Sequence, residues 1–196
     1  MRWGMHEDIR ELLSRLDHAL VRRVRHRLVR CVELSSLIED GKPDFLFTSG
    51  KRDRYNLDGV GCIYFAEDEE TARAEHRCQD HPDQSFRPVC MFFADASLNV
   101  LDLTMPSVRK TLALTEKDLN APWERARHPT RAQLLGTAVS NQRKFAAVRY
   151  PSDAARAHGF SGHNVVIFRA CVRRPSFVRV LGAAKKPLQG WPYFRR

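Results

Sequence analysis

The chain has 196 residues, 43% of them apolar and 29% charged, which suits one domain with its own core and argues against disorder. A formal charge of +10 calls for an anionic ligand, nucleic acid, an acidic protein or an anionic surface as partner. Apolar runs no longer than strand-sized pieces such as NVVIF predict no membrane span, and five scattered cysteines without a CxxC predict neither a disulfide framework nor structural zinc. The opening MRWGMHEDIRELL holds acids and no apolar core segment, so no signal peptide is expected, and a reducing, cytoplasmic location is predicted.

Along the chain, Ile9, Leu12, Leu13, Leu16, Leu20, Val24 and Leu28 recur at steps of one, three and four. That stripe predicts an amphipathic helix from residue 5 to about 27, with arginines in its last turns. Residues 1–27 are therefore expected to pack as a helix on a domain spanning 28–196. LVRCVEL (28–34) predicts a strand with Arg30 on the side of Val32 and Leu34. A Gly-, Asp- and Pro-rich loop leads to a buried strand, VGCIYFA (60–66), then to a helix opened by acids, EDEETARAEHRCQ (67–79).

PVCMFFA and NVLDL predict two more strands, and PTRAQLLGTAVS a helix with Pro129 in its first turn. KFAAVRYP (144–151), NVVIFRACV (164–172) and SFVRVLG (176–182) read as closing strands. Strands outnumber helices, and the later ones follow without helices between them. The pattern predicts α+β, not a doubly wound parallel sheet.

Several residue types invite chemistry. GVG (59–61) lacks the third glycine and the following helix of a dinucleotide fingerprint, so that reading fails. Glu75 shares its helix face with Thr71, Ala72, Cys78 and Gln79, a small, semi-polar face on which a carboxylate wants a donor. Spacing alone leaves it as an ion-pair partner of some arginine or as a site acid. Arg54-Tyr55-Asn56 offers a planar fork for phosphate or carboxylate and a ring that can stack, or else a solvated loop. Tyr64 alternates with Cys62 and Ala66 in its strand. Ser152 follows a strand end as an N-cap, without the glycines of a nucleophile elbow. No histidine falls in a metal-binding spacing, and no metal is expected. The run RRVRHRLVR (22–30) would serve nucleic acid or an acidic partner, but on a helix it reads first as a solvated face.

The order of these pieces resembles the RES-domain family, named for an arginine, a glutamate and a serine. LVRCVEL, then GKRDRYNLDGVGCIYFAEDEETARAE, then FAAVRYPSDAARAHGFSGHNVVIF follow the family order over about residues 28–172. Arg54, Asn56, Gly59, Tyr64, Glu75 and Ser152 fall on family positions. Departures are Arg52-Asp53 in place of a doubled glycine, Tyr55 for a tryptophan, and Cys31 where an aromatic often stands.

The resemblance implies an ADP-ribosyltransferase-like fold, two small β-sheets forming a cleft that binds NAD. It also implies a toxin of a toxin–antitoxin pair that breaks the nicotinamide–ribose bond, with phosphate or water as acceptor and a cognate antitoxin occluding the cleft. Mono-ADP-ribosylation of a protein is the alternative within enzymes. A basic nucleic-acid- or partner-binding module without catalysis is the alternative outside them, nucleic acid being the less expected partner. By resemblance, Glu75 would serve the nicotinamide ribose and the developing cation, and Arg30 and Arg54 the diphosphate or acceptor phosphate. Tyr64 and Tyr55 would orient the nicotinamide end, Asn56 would belong to the NAD-binding loop, and Ser152 would hydrogen-bond ribose or amide.

Overall fold

The computed structural model of the chain describes residues 11–39, 42–78, 88–182 and 186–192. The predicted helix before residue 11, the end of the second helix at Gln79 and the basic tail 193–196 lie outside them. Residues 11–18 are helical (α1), and Leu12 and Leu16 are buried in the main core. The predicted helix does not run on to 27, because Arg22–Glu33 is a strand (β1), and Leu20 of the expected stripe is exposed. Leu20, Val24 and Leu28 are four apart, a spacing that is also a multiple of two and so fits either period. The neighbours decide it: Arg23, Arg25 and Arg27 are exposed while Val24, His26 and Leu28 are less so, the alternation of a strand.

β1 pairs antiparallel along its whole length with β5 (Val89–Asp102), from Arg22↔Val100 to Glu33↔Val89. The two strands predicted within β5 are one, since partners on both sides satisfy its backbone through Asp95-Ala96-Ser97. Between them in the chain lie β2 (Ile38–Glu39), β3 (Lys42–Pro43), β4 (Cys62–Ala66) and α2 (Glu69–Cys78). After β5 come α3 (Pro106–Thr111), α4 (Glu116–Leu119), a turn at Trp123–Arg125 and α5 (Arg131–Gln142). Thr130 caps α5 in a capping box with Gln133, so Pro129 stands outside the helix, not in its first turn. The chain closes with β6 (Ala147–Pro151), α6 (Asp153–Ala157), β7 (His163–Phe168), β8 (Phe177–Leu181) and an unpredicted β9 (Pro187–Trp191).

Seven strands form one connected sheet in the order β1-β4-β7-β6-β5-β8-β9, and the β1–β5 pairing closes the first five into a ring. Among the described strands only β5 and β6 pair in parallel. The expected two small sheets are thus two groups of one sheet: β4, β7 and β6 on one side, β1, β5, β8 and β9 on the other. They join at three β5–β6 pairs and at a single β1–β4 pair, Val29↔Ala66. Beyond that pair β1 and β4 run on without pairing each other, and a fork opens between them.

At the closed side, one residue from or just after each ring strand meets the others. Arg149 of β6 donates to both carboxylate oxygens of Glu67 at 2.8 Å, to Asp102 at 3.3 Å and to Thr104 Oγ1 at 2.7 Å. His26 of β1 and His163 of β7 each place Nδ1 3.5 Å from Glu67. Burial, with Arg149 nearby, holds both imidazoles below their ordinary pKa. Among the described residues, no helix is long and apolar enough to cross a membrane, and no group of three or more His, Cys, Asp or Glu could hold a metal ion.

Candidate active site

The β1–β4 fork encloses a cavity of about 390 Å³. β1 contributes Arg30, β4 contributes Tyr64, the preceding loop Asp53 and Arg54, α2 Glu75, and β7 Asn164. Tyr150, at the end of β6, and Trp123, from the turn after α4, complete the wall.

Glu75 is positioned from three directions. Asp68 caps α2, accepting from the Thr71 amide at 2.7 Å and hydroxyl at 2.8 Å. Gly162 lets β7 approach that turn, since a Cβ there would stand 2.2 Å from Thr71 Oγ1. Ser152 Oγ (2.6 Å) and Asn164 Nδ2 (2.5 Å) both donate to Glu75 Oε1. The other oxygen, Oε2, has no hydrogen-bond partner among the described residues. The carboxylate is fixed through one oxygen and leaves the other for a ligand.

Ser152 is also the N-cap of α6, accepting from the Ala155 amide at 3.0 Å. Its single proton goes to Glu75, so it orients the acid and is itself buried away from the cavity. Arg54 donates through Nη1 to Asp153 Oδ2 at 2.6 Å. That bond holds its guanidinium above its ordinary pKa against the opposing effect of burial. Arg30 has no hydrogen bond or ion pair among the described residues, and burial pushes its pKa down to about 10. A cation that has lost water and gained only the longer-range attraction of Asp53 is ready for an anion.

Tyr64 presents its ring to the cavity while its hydroxyl is locked. It donates to Asn56 Oδ1 at 2.9 Å and accepts from the Tyr55 amide at 3.0 Å. Asn56 in turn donates to the Lys51 carbonyl at 2.6 Å and is 1% exposed, a loop brace. Tyr55 is the clearest correction to the sequence reading. It is fully buried, with its ring 4.5 Å from that of Tyr150, and cannot stack on a ligand in this cavity. α5 seals it in: a Cβ on Gly136 would stand 1.7 Å from the Tyr55 carbonyl oxygen.

The structure thus brings Arg30, Arg54, Tyr64 and Glu75 to one cavity, and sets Ser152, Tyr55 and Asn56 behind it. Asp53, Tyr150, Asn164 and Trp123 were missed. Tyr150 and Asn164 carried a faint signal, polar groups at the end of β6 and the start of β7 that lie opposite each other beside YPS. Trp123 carried none. The departure at Arg52 has a physical account: its Nη2 reaches the Ala126 carbonyl and Gln133 Oε1, each at 3.1 Å, tying the Trp123 turn to the Arg54 loop. Asp53 lines the cavity with its pKa raised by burial, and its carbonyl accepts from Gln133 Nε2 at 2.9 Å.

The family model of the RES domain matches residues 41–192. No curated protein matches the chain. The crystal structure of the M. tuberculosis MbcT-MbcA toxin-antitoxin complex contains a chain similar to this one at 20% identity, with a TM-score of 0.63 over 84% of this chain and 86% of that chain. At that identity the likeness shows a shared fold.

Proposed function

The chain belongs to the RES domain family, and on that footing we propose that it cleaves the nicotinamide–ribose bond of NAD in an ADP-ribosyltransferase-like cleft, with phosphate or water as acceptor. We further propose that it acts as the toxin of a toxin–antitoxin pair, silenced by a partner that covers the fork. The observation that carries the reading is the half-anchored Glu75 facing the unpaired Arg30 across one cavity.

The chemistry asks for those groups. When the C1′–N bond breaks, its electron pair leaves with nicotinamide, which departs neutral and needs no acid. The ribose becomes an oxocarbenium-like cation. Glu75 Oε2 holds a ribose hydroxyl and balances that cation, while Ser152 and Asn164 keep the carboxylate aimed. Arg30 and the open edge of Arg54 hold the diphosphate through charge-assisted forks. An oxygen of phosphate or water then bonds to C1′, giving the phosphorylated ADP-ribose or free ADP-ribose and a proton. Tyr64, Tyr150 and Trp123 supply ring surface for the nicotinamide end.

Purified protein incubated with NAD, with and without phosphate, is expected to release nicotinamide, with the sugar product reporting the acceptor. Glu75→Gln should lower release by roughly a thousandfold with the fold intact. Wild-type turnover in that variant would remove Glu75 from the mechanism. Label carried from NAD onto protein in a lysate, with no free product, would replace cleavage by protein ADP-ribosylation.

A further inference from the structure

A second cavity, of about 320 Å³, continues the fork away from the β1–β4 pair. The two cavities share three wall residues, Arg30, Asp53 and Tyr64. Each lies in the size range of small-molecule pockets, roughly 300–1,000 Å³. At their junction stands Arg30, a partly buried guanidinium with no hydrogen bond or ion pair among the described residues. Two concave chambers meeting at an unpaired cation match a ligand made of two nucleosides joined through a diphosphate.

The chambers are not equivalent. The first holds Glu75 and the donors that aim it. The second differs in its lining. Its floor is apolar, with Leu37 and Ile63 buried, and on its wall Phe47 keeps 41% of its surface exposed. A large aromatic left that open beside an apolar floor is suited to stack on a base. Polar groups stand at the same chamber. Asp44 accepts from the Leu46 amide at 3.1 Å and from Gln189 Nε2 at 2.5 Å, both through Oδ1. Its Oδ2 has no hydrogen-bond partner among the described residues and offers an acceptor to an exocyclic amine. Ser49 and Lys51 lie at the same mouth.

Resting on the NAD-cleavage reading, we propose that this second cavity is the subsite for the purine nucleoside half of the dinucleotide, with Phe47 stacking on the base and Arg30 at the diphosphate between the chambers. The substrate is then chosen by a part of the site that takes no share in breaking the bond, so binding energy gathered at Phe47 positions the ribose over Glu75.

The test compares NAD with nicotinamide mononucleotide, which carries the scissile bond and lacks the second nucleoside. The wild type is expected to prefer NAD, and Phe47→Ala should cut the ratio of the two kcat/KM values about tenfold, the scale of one lost stacking contact. Phe47→Trp should restore it. Calorimetric binding of AMP reads the chamber without catalysis: wild type binds, and Phe47→Ala binds about tenfold more weakly. An unchanged substrate ratio together with unchanged AMP affinity overturns the subsite. If neither NAD nor the mononucleotide releases nicotinamide, yet AMP binding still depends on Phe47, the cleavage reading has failed and the subsite stands.

Discussion

Arg149 and Arg30 occupy opposite sides of one ring of strands, and their surroundings could hardly differ more. Arg149 spends its donors on Glu67, Asp102 and Thr104, and the two carboxylates, Glu67 first, raise its pKa. Arg30 meets two cavities and, among the described residues, no carboxylate within bonding reach, and burial lowers its pKa. The first arrangement is closed: it ties β6 to residues following β4 and β5 and leaves nothing for a ligand. The second is open and costs desolvation without local return. A charge the fold has not satisfied marks a binding site better than a charge of unusual type or position.

The closed side of the ring carries the largest expected effect. Arg149→Ala leaves the buried Asp102 and the partly buried Glu67 without their shared cation, and a loss of about 3 kcal/mol is expected in urea unfolding. Nicotinamide release by the folded fraction should persist, because Arg149 does not line either cavity. A variant as stable as wild type would show that the cluster is ornamental to the ring.

The open side should respond in the opposite way. Arg30→Ala removes an unpaired, desolvated charge, so its urea midpoint should match or exceed that of wild type. KM for NAD should rise roughly ten- to a hundredfold, the worth of one charge-assisted contact to phosphate. If Arg30→Ala unfolds as readily as Arg149→Ala, the distinction between the two arginines is lost.

Much of the site was legible because it obeys local periods. Glu75 sits on the face its helix spacing predicts, and Tyr64 shares a face with Cys62 and Ala66, while Ile63 and Phe65 enter the core. Ser152 was readable as a cap, and the cap geometry is what aims its proton at Glu75. What failed was set by distant partners. β1 became a strand because β5 pairs it over twelve residues, a fact no spacing of Leu20, Val24 and Leu28 contains. β9 carries Pro187 and Gly190, which argue against a strand unless it is an edge strand, as it is here beside β8. Tyr55 looked like a ligand-facing ring in the sequence and was buried by the close approach of Gly136, eighty-one residues on.

The smallest expected effect tests whether the closed cluster titrates as a unit with the fold. His26 faces Glu67, Arg149, Arg22 and Asp102, and His163 faces Arg149, Glu67, Asp102 and Asp68; burial is the main cause holding both below the ordinary value of 6.5. The unfolded chain therefore takes up protons near pH 6.5 that the folded chain still refuses, so stability falls as pH drops through that value. The slope is at most about 1.4 kcal/mol per pH unit for each histidine, and it ends once pH passes below their folded values. Asp102 acts in a separate, more acid window. Against the upward push of burial, Thr104 and Arg149 hold its pKa below 3.8, so its contribution is lost only as pH falls through that lowered value. Urea midpoints measured from pH 8 to 5 should fall for wild type and flatten in the His26→Gln, His163→Gln double variant. An equally steep fall in that variant would assign the pH response to other groups and leave the cluster as a static brace.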